Sequence, residues 1–303
     1  MRHPPICDYE GSNYQTSFWD QGERIYEDRV EAIALSRLLP SSGKLLLELG
    51  AGAGRNTPRY RNFELVVLLD YSRSQLQQAR QRLGDSGRYL YVAADVYHLP
   101  FLPGLFDVAT MIRVLHHMAD APLALQQVRQ VLRPDAIFIL EYANKRNLKA
   151  IFRYVFGRQK WNPFTTEPIE FAALNFDFHP TAVRNWLNQA GFSIERQLTV
   201  SHFRIGLLKR MVPLSILVGL DSLAQWSGNA WQLTPSVFVR SRAIAGPPAA
   251  SLPASPLEFF RCIKCHHTPL DPAPEFLACP VCRTQYSIRE GIYDFRESAT
   301  KSA

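Results

Sequence analysis

Short apolar runs alternate with segments of helical period through the first 200 residues. KLLLEL, FELVVLLD, RYLYVAAD, FDVATMI and DAIFILEY are apolar at consecutive positions, which predicts short strands buried on both faces. Between them SRSQLQQARQRL and APLALQQVRQVL predict amphipathic helices, the first opened by a Ser cap. Such alternation predicts an α/β fold, a parallel sheet with helices on both faces. HPTAVRNWLNQAG predicts a further helix leading to a strand near FSIERQLTV, and SVFVRSR the last strand. No internal repeat is visible. The Pro-, Ala- and Ser-rich AIAGPPAASLPASP, 243–256, reads as a linker.

Composition refines this picture in three ways. A chain of 303 residues with 47% apolar content can hold one sizeable domain and a small one. The opening MRHPPICDYE lacks the charged and apolar regions of a signal peptide, and no apolar run reaches the ~20 residues of a membrane span. Four of five cysteines fall in two C-x-x-C pairs, which points to metal rather than disulfides and to a reducing, cytoplasmic setting. The net charge of +7 is concentrated. NKRNLKAIFRYVFGRQK, 144–160, holds six basic residues and no acid, whereas residues from Leu257 onward balance six against six. A nucleic-acid coat would be broader, so nucleic acid is the less favoured partner.

The first predicted strand runs into ELGAGAGRN, with Glu48 followed by Gly50, Gly52 and Gly54. Glycines at the carboxyl edge of a sheet let backbone turn tightly against a ligand. A nicotinamide fingerprint needs glycine at position 55, where Arg55 stands. Asp70 closes the second strand, where a carboxylate can accept both ribose hydroxyls, and Asp95 the third, within reach of an adenine amino group. Acids often end strands for structural reasons. Three at successive strand ends beside a glycine loop point to one nucleoside site.

At these residues the chain resembles a class I S-adenosylmethionine-dependent methyltransferase, of the group that includes quinone-biosynthesis enzymes. The resemblance covers residues 44 to about 142 through ELGAGAG, Asp70, ADVYHLPF, FDVATMIRVLHH and VLRPDAIFILEY. It implies a Rossmann-like seven-stranded sheet in the order 3-2-1-4-5-7-6, the last strand antiparallel. It also implies that Glu48 and the glycines hold the methionine part, Asp70 the ribose, and Asp95 and Val96 the adenine edge. Arg113 would then lie beside the cofactor.

A sulfonium methyl is already electrophilic, so the protein must mainly align reactants, exclude water and sometimes supply a base. The candidate base is His117, after the fourth strand; its neighbour His116 reads rather as a pocket-shaping residue and His179 as structural. The N/D-P-P-aromatic motif of methyltransferases acting on exocyclic nitrogens is missing at IRVLHH, and Asn162-Pro163-Phe164 lies too far along the chain to replace it. Two inserts, near 144–160 and 203–230, read as helical lids of a methyltransferase domain spanning 1–242. In the first, Leu148, Ile151, Phe152, Val155 and Phe156 share a helical face beside Arg146, Lys149 and Arg153, which would suit a lipophilic acceptor and peripheral contact with an anionic membrane. The second is apolar nearly all round after Pro213, but Asp221 and its length argue against a span.

Cys262-x2-Cys265 and Cys279-x2-Cys282, thirteen residues apart, form a zinc-knuckle pattern. With sulfur at all four positions no place remains for water, so one structural zinc is expected in a ribbon over 257–303. About 45 residues hold little core, and the metal would supply folding energy. The segment resembles the small zinc-ribbon protein that activates several methyltransferases, although His266 and Arg283 stand where glycine is usual. That resemblance implies docking in cis, a ribbon strand pairing with the edge strand RYLYVAAD.

Three readings of function follow. The leading one is methyl transfer to a small, lipophilic quinone- or polyketide-like acceptor. The second is a tRNA- or translation-factor-modifying methyltransferase that uses the ribbon for activation. The third is a non-catalytic cofactor-binding interaction protein, against which Glu48, Asp70 and Asp95 speak.

Overall fold

A computed structural model describes residues 4–12, 24–251 and 253–296. Parts of the expected methyltransferase domain (1–3 and 13–23), of the linker (252) and of the ribbon (297–303) lie outside the described residues. The elements are α1 (Ile25–Leu38), β1 (Gly43–Leu49), β2 (Phe63–Asp70), α2 (Arg73–Leu83), β3 (Tyr89–Ala93), β4 (Phe106–Met111), α3 (Ala121–Val131) and β5 (Leu132–Ala143). There follow α4 (Leu148–Val155), β6 (Ile169–Ala172), β7 (Asn175–Asp177), α5 (Pro180–Gln189), β8 (Phe192–Val200), α6 (Gly206–Met211), α7 (Leu214–Ala224) and β9 (Ser236–Ala243). Four short strands close the chain: β10 (Asp271–Pro272), β11 (Phe276–Ala278), β12 (Gln285–Arg289) and β13 (Ile292–Asp294).

The expected seven-stranded sheet is present as the run β3-β2-β1-β4-β5-β9-β8, with β9 antiparallel to both of its neighbours. The strand number itself needs correction. The sheet has eleven strands, because β13 pairs in parallel with β3 and carries β12, β11 and β10 with it. The register sets Ile292 against Tyr91 and Asp294 against Ala93.

Consecutive apolar residues in the central strands serve both faces. Leu45, Leu47, Leu49, Val67 and Leu69 join one buried cluster with α3 and α5, while Leu46, Val66 and Leu68 join the other with α1, α2 and α7. Helix starts follow the caps. Ser72 accepts from the Gln75 amide at α2, and Asp120 caps α3. At α5 it is His179 Nδ1 that accepts from the Thr181 amide, at 3.2 Å, which gives this histidine a structural task.

The two inserts differ. On α4, Leu148, Phe152 and Val155 are exposed, with Phe156 just beyond it. α7 instead packs on α1 through Asp221, which is fully buried and accepts from Tyr26 Oη at 2.6 Å and the His202 amide at 2.7 Å. Ile216, Leu220 and Leu223 on its other side are exposed. No helix among the described residues is long and apolar enough to cross a membrane.

Candidate active site

β1 ends in a turn that only glycine tolerates. Gly50 has φ +64°, and a Cβ there would lie 2.2 Å from Val114 Cγ2. Gly52 has φ +52°, and a Cβ there would meet nothing nearer than 4.0 Å; it would project into a cleft. The turn therefore leaves an open cradle beside backbone amides, the shape a ligand needs for close approach.

Gly50, Gly52, Asp70, Asp95, Val96, Arg113 and His117 line that one cleft, together with Ile6, Cys7 and Tyr9 from the N-terminal segment. Asp70 Oδ2 accepts from the Gly52 amide at 2.8 Å and Oδ1 from the Ser72 amide at 2.9 Å. Each oxygen keeps a second lone pair for a ligand hydroxyl. Burial raises the Asp70 carboxyl to about 6, against the pull of those two amides. Asp95 accepts from the Tyr97 amide and from His98 Nδ1, both at 3.0 Å, so it also caps the turn after β3.

Glu48 and Gly54 stand behind the glycine turn. Neither is among the cleft-lining residues. Glu48 is buried behind the loop, where Thr57 Oγ1 donates to it at 2.6 Å and burial raises its carboxyl to about 7. Gly54 fits against Leu83, Ala79 and Thr57. Both shape the loop from beneath.

Arg113 sits at φ +60°, where its backbone N–H donates to Glu141 Oε2 at 2.9 Å. Its guanidinium pairs with Glu31 on α1, and Arg55 meets the same carboxylate at 2.9 Å. Burial opposes ionisation of Glu31, yet the two guanidiniums hold its carboxyl below the usual range. Arg55, which breaks the nicotinamide fingerprint, thus ties the glycine loop to α1.

His117 has defined nitrogens. Nδ1 lies 3.1 Å from the carbonyl of Leu174, which can only accept, so Nδ1 carries the proton. Nε2 then offers its lone pair and takes the Tyr9 hydroxyl at 3.1 Å. Burial lowers the His117 pKa, keeping the ring neutral at pH 7. His116 lies against it, its ring tilted by 46° with centroids 4.0 Å apart, and its pKa is also well below the usual value through burial first and His117 second. The buried Nδ1 of His116 finds no hydrogen-bond partner among the described residues. Tyr9 and Leu174 escaped the sequence reading, because neither lies in a motif.

Far from the cleft floor the four knuckle thiols converge. Cys262 and Cys282 Sγ lie 3.4 Å apart, as do Cys265 and Cys279 Sγ, and all four fall within 4.8 Å of one another. A tetrahedral zinc at ~2.3 Å from each sulfur spaces them by roughly 3.8 Å, so the donor set fits that metal. His266 and Arg283 take φ +60° and +61°, each donating its amide to the first cysteine of its knuckle at 2.9 and 3.0 Å. The knuckle turn is what glycine usually serves at these positions, and these side chains accept its strain.

The chain is similar to known methyltransferases. Residues 47–140 match the family described as a methyltransferase domain. Curated relatives include an O-methyltransferase of Penicillium expansum, 29% identical over 45% of this chain and 52% of its own. An O-methyltransferase of Aspergillus sclerotiorum is 35% identical over 37% and 44%, respectively. A ubiquinone/menaquinone biosynthesis C-methyltransferase of Pseudomonas savastanoi is 29% identical over 50% and 66%. The chain spans about half the length of the first of these curated relatives. Among solved structures, a chain from the complex between a Haloferax volcanii methyltransferase activator and a methyltransferase aligns at TM-score 0.55 and 15% identity, over 77% of this chain and 96% of its own. An S-adenosylmethionine-dependent methyltransferase from Mesorhizobium loti aligns at 0.52 and 22% identity, over 70% and 97%. Residues 47–140 thus match a methyltransferase domain, and the fold of the chain is similar to that of a solved methyltransferase.

Proposed function

We propose that the protein transfers a methyl group from S-adenosylmethionine to a small, lipophilic acceptor. The observation that carries this reading is one cleft joining the Gly50–Gly52 cradle, Asp70 and Asp95 to the His117–Tyr9 pair, in which neutral His117 Nε2 accepts from the Tyr9 hydroxyl. S-adenosylmethionine supplies a sulfonium-bound methyl. Asp70 accepts the ribose hydroxyls, and Asp95 and Val96 take the adenine edge. As the acceptor's oxygen or carbon bonds to the methyl, its proton passes to Tyr9 Oη while the Tyr9 proton passes to His117 Nε2, with S-adenosylhomocysteine leaving. Relatives named as O- and C-methyltransferases, one of them in quinone biosynthesis, support a small-molecule acceptor.

The basic, apolar α4 supports the lipophilic part of this reading. Phe152 and Val155, with Phe156 beyond the helix end, are exposed beside Lys149 and Arg153, a face suited to an anionic lipid surface that holds the acceptor. The knuckle thiols hold one structural zinc. The test is incubation of methyl-labelled S-adenosylmethionine and the protein with a cell extract. Label in the lipid or small-molecule fraction supports this function; label confined to RNA or protein would favour the macromolecule-modifying alternative.

A further inference from the structure

The two ends of the described chain meet at one ion pair. Arg296 follows β13, and Asp294 holds its guanidinium through Nε at 2.9 Å and Nη2 at 2.6 Å. So oriented, Nη1 reaches Glu10 Oε2 at 3.2 Å and the Tyr71 carbonyl at 3.4 Å. Glu10 in turn accepts from the amides of Arg73 and Ser74, the first turn of α2, at 2.8 and 3.0 Å. The Gly11 amide donates to Ser74 Oγ at 2.8 Å, and Gln75 Nε2 to the Ser12 carbonyl at 2.9 Å. Segment 4–12 is thereby fastened across the start of α2. Just N-terminal to the fastening, Ile6, Cys7 and Tyr9 line the cleft.

We propose that Arg296 is a positioning residue through which the ribbon closes the cofactor cleft: it holds Glu10, Glu10 holds the strap, and the strap sets Tyr9 on His117. The fixed elements are unequal in strength. A half-exposed ion pair contributes little by itself, since its geometry costs side-chain entropy and solvent screens it. Here Asp294 pre-orients the guanidinium from two sides, and Glu10 places its charge on two helix-start amides, where the helix dipole favours it. The pair therefore biases the strap between open and closed, leaving the fold unaffected. Closure shields the cleft from water, and it depends on the ribbon being docked on β3. This deepens the methyltransferase reading by giving the ribbon a task at that site.

The test uses the full chain loaded with zinc, reading amide exchange and S-adenosylhomocysteine binding. In Arg296→Ala, amide exchange of residues 6–11 should accelerate while the Phe295 amide, hydrogen-bonded to the Ala93 carbonyl, stays protected. Affinity should fall about two- to fivefold, the upper scale of a partly exposed ion pair. Glu10→Gln should loosen the strap to the same degree, the double variant no further, and Arg296→Lys should restore part of the closure. Unchanged exchange over 6–11 would overturn the proposal. So would joint loss of protection at the strap and at Phe295, because Arg296 would then only dock the ribbon. Exchange needs no ligand, so a wild-type protein that binds no S-adenosylhomocysteine would refute the function while leaving this test intact.

Discussion

The Gly52 amide donates to Asp70 Oδ2 at 2.8 Å, which links the glycine turn after β1 to the last residue of β2. One carboxylate therefore both fixes the cradle and offers its remaining lone pairs to a ligand. Removing it in Asp70→Ala should weaken S-adenosylmethionine binding by about 1.5–3 kcal/mol, as for hydrogen bonds to a charged group. Calorimetry on the purified protein checks this, with NAD as a ligand expected not to bind. Unchanged affinity in the variant would remove Asp70 from the site.

The same carboxyl makes binding pH-dependent. Burial raises Asp70 from 3.8 to about 6 and Glu48 from 4.5 to about 7. The folded protein thus holds protons the unfolded chain has lost, and the stability these groups contribute is lost as pH rises through about 6 and 7. Ligand hydroxyls donating to Asp70 favour its ionised form, so binding near pH 6 should release protons. Glu48 lies behind the loop and should keep its own. Calorimetry in buffers of different ionisation heat measures the release; heats independent of buffer would contradict a ribose on Asp70.

At His117 the expected loss is in turnover. His117→Ala should lower kcat by roughly 10²–10⁴-fold, the range of general-base contributions, and leave cofactor affinity unchanged. Because burial depresses its pKa below the ordinary 6.5, the acidic limb of the kcat profile should lie below pH 6.5. A fully active variant would leave His117 as a wall of the pocket.

What the sequence made legible was whatever periodicity or spacing encodes. β1 to β5 show as apolar runs because both of their faces are covered, and Asp70 and Asp95 show because they end those runs. α1 was not legible. Its buried side carries Glu27 and Glu31, paired with Lys209, Arg55 and Arg113 from distant segments, so its apolar stripe is broken by charge. The β6–β7 hairpin escaped because strands of four and three residues, mostly exposed or half-buried, leave no pattern. Glu48 shows in the sequence as a strand-end acid, which reads alike whether it faces a ligand or Thr57. The C-x-x-C spacing gave the thiol cluster directly, whereas the pairing of β13 with β3 could be expected only through resemblance.

That pairing carries the last prediction. Phe259, Phe260 and Phe295 are buried in the same cluster as Phe101 and Phe106, and Phe260 stacks on Phe101 at 5.8 Å. The Leu102 amide donates to the Phe259 carbonyl at 2.9 Å, and the Arg261 amide to the Pro100 carbonyl at 2.8 Å. Ending the chain at Ala250 would strip these contacts and expose β3, whose Leu90, Tyr91 and Val92 would form an apolar edge open to another chain. The truncated protein should be less stable and prone to self-association, and the ribbon added in trans should rescue it. In the full chain, Phe260→Ala should cost about 3–5 kcal/mol, the usual loss for a buried aromatic. If zinc binds the four thiols as proposed, its chelation should act in the same direction, because the metal would hold the knuckles that present Phe260 and Phe295. Denaturation midpoints and light scattering read all three. A truncated chain that stays monomeric and equally stable would show that the β3–β13 seam contributes nothing to the catalytic core.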